Sequence, residues 1–444
     1  MSELFGTDGV RGIANTELSP ELVLQLGRAA AVELGGIVKR PTVVVARDTR
    51  ISGEMLESAL VAGLLSAGAD VVRCEVLPTP AVAFLVTHLR AAAGAVVSGS
   101  HNPVQDNGIK FFGPDGFKLA DADEAKIEDL LGSEDLSRPV GVDVGRPGYL
   151  PEAEALYVDH ALKALEGRSL VGLKVVVDCA NGAAFRTTPE ALIRAGAEVV
   201  VINAAPDGTN INVRCGSNHP EVLAETVLSN GADVGFAHDG DADRVIAVDE
   251  TGEVIDGDQM MALCAVELKE QGRLKNNLVV ATVMANLGFR LAMSSESIDI
   301  VETAVGDRYV IEAMREREAV VGGEQSGHLI FSEYATTGDG LIAALRVLGR
   351  MTSTGKSVSQ LASLVKRCPQ VLVNVVVGNK DGLPEASEVW EGVQQAEQRL
   401  GETGRVLVRP SGTESLVRVM VEAQDESVAQ QIAVQIADLV RNSL

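Results

Sequence analysis

Positive charge is scarce in this chain of 444 residues, which has 38 lysines and arginines against 62 aspartates and glutamates. The formal net charge is −24 at pH 7. Phosphate backbones select basic surfaces, so this balance argues against nucleic acid as a partner. It also means that a site for a small anionic ligand has to be built locally, from arginine, lysine and backbone N–H groups.

Long apolar runs and paired cysteines are also missing. No apolar run approaches the roughly 18 residues of a membrane span. The opening residues Met1–Gly6 show no basic region followed by an apolar stretch. We therefore expect no signal peptide, no membrane partner and a cytoplasmic protein. The five cysteines are widely spaced without a Cys-x-x-Cys, which argues against a zinc site or a disulfide framework and favours small core residues.

One unit recurs along the chain: an apolar strand, a polar loop, a helix and another strand. The first copy covers residues 42–72, the second 174–200, and a degenerate third 278–301. Strand–helix–strand units of this length predict largely parallel sheets covered by helices. Near the C-terminus, three strand-like runs are followed by apolar residues at helical spacing. The predicted fold is therefore α/β: three related mixed-sheet α/β domains plus a smaller C-terminal α+β domain around a central cleft.

Stretches rich in proline and glycine set the predicted limits of these domains. The four predicted domains are 1–148, 149–252, 253–367 and 368–444. The first would carry a serine loop, the second an acidic loop, and the third and fourth further polar loops, each at the end of a strand.

The acidic loop is Asp239-Gly240-Asp241-Ala242-Asp243-Arg244, in which three aspartates alternate with small residues. In an extended segment, alternate side chains point the same way, so the three carboxylates would lie together. Their repulsion is costly unless a cation lies among them. Oxygen-only ligands suit Mg²⁺, which usually acts together with phosphate. A solvated acidic turn is the alternative, but the strand-like residues 232–237 favour a metal site at a strand end.

A serine after another apolar run is the candidate nucleophile. The motif Ser98-Gly99-Ser100-His101-Asn102-Pro103 follows Ala95-Val96-Val97, and an exposed hydroxyl there could carry a phosphoryl group. By composition alone, a plain strand-to-turn junction is favoured, because small residues, asparagine and proline all favour turns. Lys110 follows closely enough in sequence to share the site, where it could neutralise phosphate or move a proton.

Four further loops at predicted strand ends carry polar or basic residues. In 321–328, glycines bracket a carboxylate, an amide and a hydroxyl, which suit sugar hydroxyls, although a plain glycine-rich connection is equally compatible. In 409–414, an arginine, two hydroxyls and a glycine suit a phosphate group without the spacing of a P-loop. The other two loops add Arg11 and Arg308. Their common position at strand ends indicates one shared cleft.

Together these motifs resemble the α-D-phosphohexomutase superfamily, over nearly the whole chain and in the expected order. Within it, the opening Phe5-Gly6-Thr7-Asp8-Gly9-Val10-Arg11-Gly12, the run Ile51-Ser52-Gly53 and the loop Glu324-Gln325-Ser326-Gly327-His328 are most similar to the bacterial branch that isomerises glucosamine phosphates. The phosphomannomutase/phosphoglucomutase branch, which typically has methionine at the position of Gln325, is the alternative.

The resemblance implies a role for each candidate residue. The implied catalytic residues are Ser100, which carries the phosphoryl group, Lys110, His101 and Arg11. The implied ligands of one Mg²⁺ per subunit are Ser100, Asp239, Asp241 and Asp243. The implied substrate-binding residues are Glu324, Ser326, His328, Arg409, Ser411, Gly412, Thr413 and Arg418. Arg244 would line the reacting end.

The implied reaction interconverts glucosamine 6-phosphate and glucosamine 1-phosphate through a phosphoserine and a bisphosphorylated sugar, feeding UDP-N-acetylglucosamine and cell-wall synthesis. Such a transfer depends on positioning and charge neutralisation. The implied partners are a small sugar phosphate, glucose 1,6-bisphosphate or a similar activator, and a second copy in a homodimer. A catalytically silent sugar-phosphate-binding protein and a hydrolase on the same scaffold are the alternatives from other classes.

Four positions depart from the superfamily pattern. They are Gly99, where alanine is common, Ala242, where glycine is usual, Ser415, where proline is common, and Asn218, where threonine is common. None of these changes removes a catalytic group. We expect the backbone of Ala242 to avoid conformations that only glycine tolerates.

Overall fold

The computed structural model describes residues 4–6, 8–36, 40–133, 136, 138–411 and 415–444. The chain forms two compact units, residues 1–284 with 298–364 and residues 285–297 with 365–444. Among the described residues, the first unit contains three sheets and the second contains one. None of the helices in this part of the chain has the length and apolar character needed to cross a membrane.

The first sheet has seven strands with helices packed on it. The strands are β1 (Phe5–Gly6), β2 (Gly9–Ile13), β3 (Thr42–Arg47), β4 (Asp70–Val76), β5 (Ala93–Val97), β6 (Asp106–Phe112) and β7 (Pro147–Tyr149). The helices are α1 (Pro20–Gly35), α2 (Gly53–Ser66), α3 (Thr79–Leu89) and α4 (Asp121–Asp129). In the order β1-β2-β6-β5-β3-β4-β7, strands β5, β3, β4 and β7 pair in parallel and the rest antiparallel. Helices therefore cover both faces of the sheet at its central strands β3 and β5, and the apolar side chains of these strands are buried.

The second sheet has five strands and is also mixed. Its elements are α5 (Ala153–Ala161), β8 (Lys174–Asp178), α6 (Thr187–Arg194), β9 (Glu198–Ile202), α7 (Glu221–Asn230), β10 (Val234–His238), β11 (Val245–Asp249) and β12 (Val254–Ile255). The order is β12-β11-β10-β8-β9, in which β10, β8 and β9 are parallel and β11 turns back antiparallel to β10. The reversal from β10 to β11 places the acidic loop at the end of a fully buried strand.

The third sheet has four strands in the order β14-β13-β15-β16. The elements of this part of the chain are α8 (Gly257–Glu270), β13 (Leu278–Thr282), α9 (Leu287–Ser295), β14 (Asp299–Thr303), α10 (Asp307–Arg317), β15 (Val321–Gly323), β16 (Leu329–Phe331), α11 (Gly340–Thr354) and α12 (Val358–Ala362). Of these, α9 belongs to the second unit. Helix α8 begins after Asp256, whose side chain accepts a hydrogen bond from Gln259 N and caps the helix.

The second unit contains a three-stranded antiparallel sheet. Its elements are β17 (Gln370–Val376), α13 (Ser387–Leu400), β18 (Gly404–Pro410), β19 (Leu416–Ala423) and α14 (Glu426–Ser443), in the strand order β17-β19-β18. On α14, the predicted helical spacing is confirmed, since Ile432 and Ile436 are fully buried in the core that the sheet forms with α13 and α14.

The predicted α/β class, with mixed sheets and a smaller α+β portion, is confirmed. The helix predicted over 54–65 is α2, and the predicted C-terminal strands are β17, β18 and β19. All five cysteines are buried and unpaired with one another, as expected of core residues. The limits of the four domains stay a prediction.

Candidate active site

Ser100 lies in a strained turn directly after β5. It is almost fully buried and has a φ of 49°, in the left-handed region that costs a residue with a side chain about 1–2 kcal/mol. Its N–H donates to Ser98 Oγ at 2.9 Å, and Ser98 Oγ donates to Asp48 Oδ2 at 2.7 Å. This chain of hydrogen bonds holds the serine in a conformation that it would not adopt alone.

A fully buried arginine, Arg50, binds the carbonyl groups of the same loop. Its Nη2 donates to Ser100 O and to Asn102 O, both at 2.8 Å, and its Nε donates to Asp48 Oδ2 at 2.9 Å. Burial raises the pKa of Asp48, and the positive charge of Arg50 opposes this shift. A Cβ on Gly99 would lie 2.8 Å from Arg50 Cζ, so the glycine at this position lets the guanidinium approach the loop closely.

The serine loop also packs against the acidic loop, backbone to backbone. Asn212 Nδ2, from the second sheet's region, donates to Ser100 O at 2.8 Å. A Cβ on Gly240 would lie only 2.5 Å from the same carbonyl oxygen, and Gly240 O accepts a hydrogen bond from Ala183 N at 2.8 Å. A side chain at Gly240 would therefore force the two loops apart.

Three buried carboxylates converge in the loop between β10 and β11. One oxygen each of Asp239, Asp241 and Asp243 lies within 4.8 Å of the others. The predicted extended geometry of this loop is wrong, because His238 pairs with Val245 and the residues between them must reverse direction. The convergence comes from a turn rather than from alternation along a strand.

The expectation for Ala242 is also wrong, since its φ is 59°. We expect Ala242→Gly to raise the free energy of unfolding by about 0.5–1 kcal/mol, because relief of left-handed strain exceeds the extra entropy of glycine in the unfolded chain. Chemical denaturation measures this change. The matched control is Ala237→Gly in buried strand β10, which should lower stability. A destabilised Ala242→Gly variant would contradict the strain argument.

Repulsion within the carboxylate cluster is partly offset by a lysine. Burial, with Asp243 and Asp241 nearby, raises the pKa of Asp239 well above its usual value. Lys110 Nζ lies 3.2 Å from Oδ2 of both Asp241 and Asp243 and 3.1 Å from Asp8 Oδ1. Burial alone would lower the pKa of Lys110, but these carboxylates raise it well above its usual value. Lys110 is therefore held as an ammonium group.

The acidic loop has the donor set for a hard metal ion beside the serine. Ser100 Oγ donates to Asp239 Oδ2 at 2.7 Å, and Thr79 Oγ1 donates to Asp241 Oδ2 at 2.7 Å. Among the described residues, Oδ1 of Asp241 and of Asp243 is buried and has no hydrogen-bond partner. Buried carboxylate oxygens without partners are unfavourable, and such oxygens are the ligands that Mg²⁺ prefers. The residues present therefore fit a divalent cation.

A cavity of about 460 Å³, within the usual range for small-molecule sites, opens in the first unit next to this cluster. Its lining includes Asp8, Arg11, His101, Asp243, Arg244, Asp307, Glu324 and His328. The residues come from loops of all three sheets of the unit. The cavity is therefore lined by five of the predicted site residues of this unit, Arg11, His101, Asp243, Glu324 and His328, and Ser100 itself is not in its lining.

The part of the cavity nearest Ser100 contains two arginines and a neutral histidine, beside the carboxylates of Asp8 and Asp243. His101 Nδ1 lies 3.3 Å from Ser100 Oγ, and burial together with Arg244 and Arg11 lowers the pKa of His101 to about 4. Burial alone would lower the pKa of Arg244. The negative charges of Asp243 and other carboxylates outweigh this effect and raise the pKa. Arg11 pairs with the carboxylate of Asp8. These cations suit a phosphoryl group next to the serine.

The predicted sugar loop lies between β15 and β16. Glu324 Oε1 accepts a hydrogen bond from Gly306 N at 3.1 Å, and Ser326 Oγ donates to Glu324 Oε2 at 3.4 Å. Gln325 does not line the cavity, and its Nε2 donates to Asp256 Oδ2 at the start of α8, at 3.2 Å. The side chain that separates the two branches in sequence thus supports the loop from outside.

Of two other residues predicted in this region, His328 lines the cavity and Arg308 does not. Burial lowers the pKa of His328, but the carboxylate of Asp243, 3.8 Å from its Nδ1, outweighs this and raises it. His328 Nε2 accepts a hydrogen bond from Gly338 N at 3.1 Å. Arg308, in contrast, pairs with carboxylates of α4 and does not line the cavity.

Two of the predicted phosphate-binding residues of the second unit, Arg409 and Arg418, face each other on neighbouring strands of its sheet. Arg409 of β18 is directly opposite Arg418 of β19, and burial together with Arg418 lowers the pKa of Arg409. Lys380 Nζ donates to Ser411 O at 2.8 Å. The predicted residues Gly412 and Thr413 lie outside the described part of the chain. Like charges directly across a sheet are unfavourable, so this arrangement suits a bound anion.

Sequence reasoning did not identify three residues that shape these sites: Arg50, Thr79 and Lys380. Arg50 had a usable signal, because Asp48 and Arg50 directly follow β3, at the same kind of strand end as the other motifs. Thr79 and Lys380 had none, since each acts on residues far away in sequence.

Four family models match the chain in order. They are the phosphoglucomutase/phosphomannomutase α/β/α domains I, II and III, over residues 2–138, 155–252 and 256–368, and the C-terminal domain, over residues 372–439. The chain belongs to the phosphoglucomutase/phosphomannomutase family. The resemblance to the α-D-phosphohexomutase superfamily is thereby confirmed.

Relatives within this family extend over the full length. The chain is 53% identical to a phosphoglucosamine mutase of Desulforamulus reducens over 100% of both chains. A phosphoglucomutase/phosphomannomutase family protein of Burkholderia thailandensis has a solved structure that is 25% identical, with a TM-score of 0.82 over 99% of this chain and 98% of that one. The fold is shared with Aspergillus fumigatus N-acetylphosphoglucosamine mutase, solved with GlcNAc-6P and magnesium, at 19% identity and a TM-score of 0.72 over 99% and 96%.

Proposed function

We propose that this family member is a phosphoglucosamine mutase, which interconverts glucosamine 6-phosphate and glucosamine 1-phosphate through a phosphoserine at Ser100. The observation that carries the proposal is the hydrogen bond of 2.7 Å from Ser100 Oγ to Asp239, a member of the carboxylate cluster. It puts a nucleophile next to a set of carboxylates suited to a metal ion, and one member of that set, Asp243, lines a cavity of suitable size. The full-length similarity to a phosphoglucosamine mutase supports glucosamine phosphate as the substrate.

In the proposed first transfer, the bond between phosphorus and Ser100 Oγ breaks while phosphorus bonds to the free hydroxyl oxygen of the substrate. His101, whose neutral ring lies with Nδ1 3.3 Å from Oγ, relays the proton of that hydroxyl to the departing Oγ, so that Ser100 leaves as a neutral hydroxyl. The bisphosphate then reorients and its other phosphoryl group returns to Ser100, while the proton of the Ser100 hydroxyl passes back through His101 to the sugar oxygen that loses the phosphoryl group. Serine and histidine therefore end each cycle as they began.

The remaining residues neutralise charge and hold the sugar. Asp239, Asp241 and Asp243 would hold Mg²⁺, one per subunit, which when bound neutralises charge on the transferring phosphoryl group. Lys110 acts as a cation, because its ammonium group contacts three carboxylates; this supports neutralisation over proton transfer. Glu324 and Ser326 bind sugar hydroxyls.

The phosphate that is not transferred would bind in the second unit. Arg409 and Arg418 are its proposed ligands, with Ser411, Gly412 and Thr413 of the same loop. The directly opposed arginine pair supports this assignment, since an anion between them relieves their repulsion. Lys380 adds a third positive charge close to Ser411.

Thr79 orients one of the proposed metal ligands, so its replacement should weaken metal binding. Its Oγ1 donates to Asp241 Oδ2, and its N–H donates to Asp241 O at 2.9 Å. We expect Thr79→Val to lower the affinity for Mg²⁺ by about 10-fold, the lower end of the effect of losing an outer hydrogen bond to a ligand. Isothermal titration of the protein with MgCl₂ alone measures this. Thr79→Ser, which keeps the hydroxyl, is the control, and unchanged binding by the valine variant would contradict the assignment.

The substrate assignment is tested by assaying glucosamine, glucose and mannose 6-phosphates side by side, with Mg²⁺ and a bisphosphate activator. We expect the highest kcat/KM with glucosamine 6-phosphate. Similar or better turnover of glucose or mannose phosphate would support the alternative, a phosphoglucomutase or phosphomannomutase. One observation keeps that alternative relevant: Gln325, the residue that favoured glucosamine in the sequence, does not line the cavity.

We further propose activation by glucose 1,6-bisphosphate or a similar compound, and a homodimer. An unmodified Ser100 can enter the cycle only after receiving a phosphoryl group, and a sugar bisphosphate can donate one while becoming a monophosphate. Preincubation with the bisphosphate should therefore abolish any lag in the assay. Light scattering during gel filtration measures the assembly, and a monomeric mass would overturn the dimer.

A further inference from the structure

The arginines of the cavity all lie on one of its two walls. Arg11 and Arg244, from the regions of the first and second sheets, lie there beside the carboxylates of Asp8 and Asp243. The other wall, called the acidic wall, comes from the region of the third sheet and contributes, among the described residues, Asp307, Glu324 and His328 but no arginine or lysine. A substrate that carries a phosphate at one position and a cation at another would match both walls.

The two carboxylates of the acidic wall are held differently. Glu324 is bound through both of its oxygens, to Gly306 N and to the hydroxyl of Ser326. Asp307 is the first residue of α10, and its Oδ1 accepts a hydrogen bond from Arg308 N at 2.8 Å. A carboxylate is favoured as an anion at this end of a helix. Asp307 also remains partly accessible, with 17% of its side chain exposed.

The nearest positive side chain only partly balances Asp307. Lys118 Nζ lies 3.8 Å from Asp307 Oδ1, beyond hydrogen-bonding distance, and 3.6 Å from Asp8 Oδ1. A positively charged group of a ligand can therefore approach Asp307 from the cavity without displacing a close ion pair.

We propose that Asp307 is the specificity-determining residue that selects an amino sugar phosphate, by accepting a hydrogen bond from the protonated amine of the substrate. The inference rests on the proposed function and adds to it the group that distinguishes glucosamine from glucose. A charged hydrogen bond to an amine is lost when the substrate carries a hydroxyl instead, which corresponds to roughly 10- to 100-fold in kcat/KM. Glu324, already bound through both oxygens, serves hydroxyls that both sugars share.

The test compares kcat/KM for glucosamine 6-phosphate and glucose 6-phosphate in Asp307→Asn and the wild type. We expect a fall of roughly 10- to 100-fold with glucosamine 6-phosphate, mainly through KM, and a change below about 3-fold with glucose 6-phosphate. Asp299→Asn, which removes the same charge from an exposed position on β14 outside the cavity, is the matched control and should change neither value.

Other outcomes overturn the inference in distinguishable ways. An equal fall in kcat/KM with both sugars would show that Asp307 has a structural role. An unchanged kcat/KM with both would show that Asp307 does not contact the substrate. If Glu324→Gln lost the preference for glucosamine 6-phosphate and Asp307→Asn kept it, the amine would be assigned to Glu324 instead. A wild type without preference for glucosamine 6-phosphate would overturn the proposed function itself.

Discussion

Replacing Ser100 with alanine is expected to lower the rate of mutase turnover by roughly four orders of magnitude or more, because the other hydroxyl of the loop, Ser98, is fully buried and donates to Asp48 instead of to the carboxylate cluster. The hydroxyl is the atom that lies 2.7 Å from Asp239 in the carboxylate cluster. A coupled assay of glucosamine 1-phosphate formation measures the rate. Intact mass after incubation with Mg²⁺ and glucose 1,6-bisphosphate measures the modification.

The matched control is Ser98→Ala, which removes another hydroxyl of the same turn. Ser98 holds the turn through Asp48, so this variant should be slower than the wild type but should still gain one phosphate. Phosphorylation of the Ser100→Ala variant would overturn the assignment of the nucleophile.

The same experiment separates the alternatives from other classes. A wild type that never takes up phosphate under these conditions would be a silent sugar-phosphate-binding protein. Free inorganic phosphate as the main product would identify a hydrolase, because water rather than a sugar hydroxyl would then receive the phosphoryl group.

Arg50→Met is expected to lower the free energy of unfolding by about 3–5 kcal/mol, the usual effect of removing one partner of a buried ion pair. The side chains of both Arg50 and Asp48 are completely buried, so the change leaves the carboxyl group of Asp48 without its partner. It also removes one of the two donors that Ser100 O and Asn102 O share and leaves them, among the described residues, only the side-chain amide of Asn212. We therefore expect turnover to fall by about 100-fold even where the variant is folded.

Two further variants distinguish charge from geometry at this position. Arg50→Lys keeps a positive charge but cannot reach both carbonyl groups and Asp48 at once, so it should lose less stability than the methionine variant. Adding Asp48→Asn to Arg50→Met removes the unpaired carboxylate and should recover part of the stability. Urea denaturation measures both, and a methionine variant as stable and active as the wild type would contradict the assigned role.

Much of the fold could be predicted because the strands carry strong local patterns. Buried β8 and β13 are nearly continuous apolar runs, and turn-forming residues mark their ends. The position of the site followed from the same patterns, since chemically active loops recur after such strands.

The local shape of the acidic loop could not be predicted in the same way. It depends on the antiparallel pairing of β10 with β11, which is a tertiary feature, and this pairing puts Ala242 in the left-handed region. The directions of side chains could not be predicted either. The sequence position of Gln325, for example, does not show that its side chain donates to Asp256 at the start of α8.

Long-range contacts explain the residues that were missed. Arg50 binds a carbonyl group 50 positions away, and Thr79 donates to a carboxylate 162 positions away. Arg50 and Ser100 follow the paired strands β3 and β5 of one sheet, whereas Thr79 and Asp241 come from the regions of two different sheets. No local pattern reveals either contact, because both depend on tertiary structure.

The close packing at Gly240 has a consequence for attempts to build chimeric enzymes. Ser100 O occupies the space that a side chain at Gly240 would need. The same oxygen also accepts a hydrogen bond from the side-chain amide of Asn212. Exchanging the first domain alone with that of a relative would thus pair the serine loop of one protein with the acidic loop of another. A productive chimera should exchange the first two domains together, so that the serine loop and the acidic loop come from the same protein.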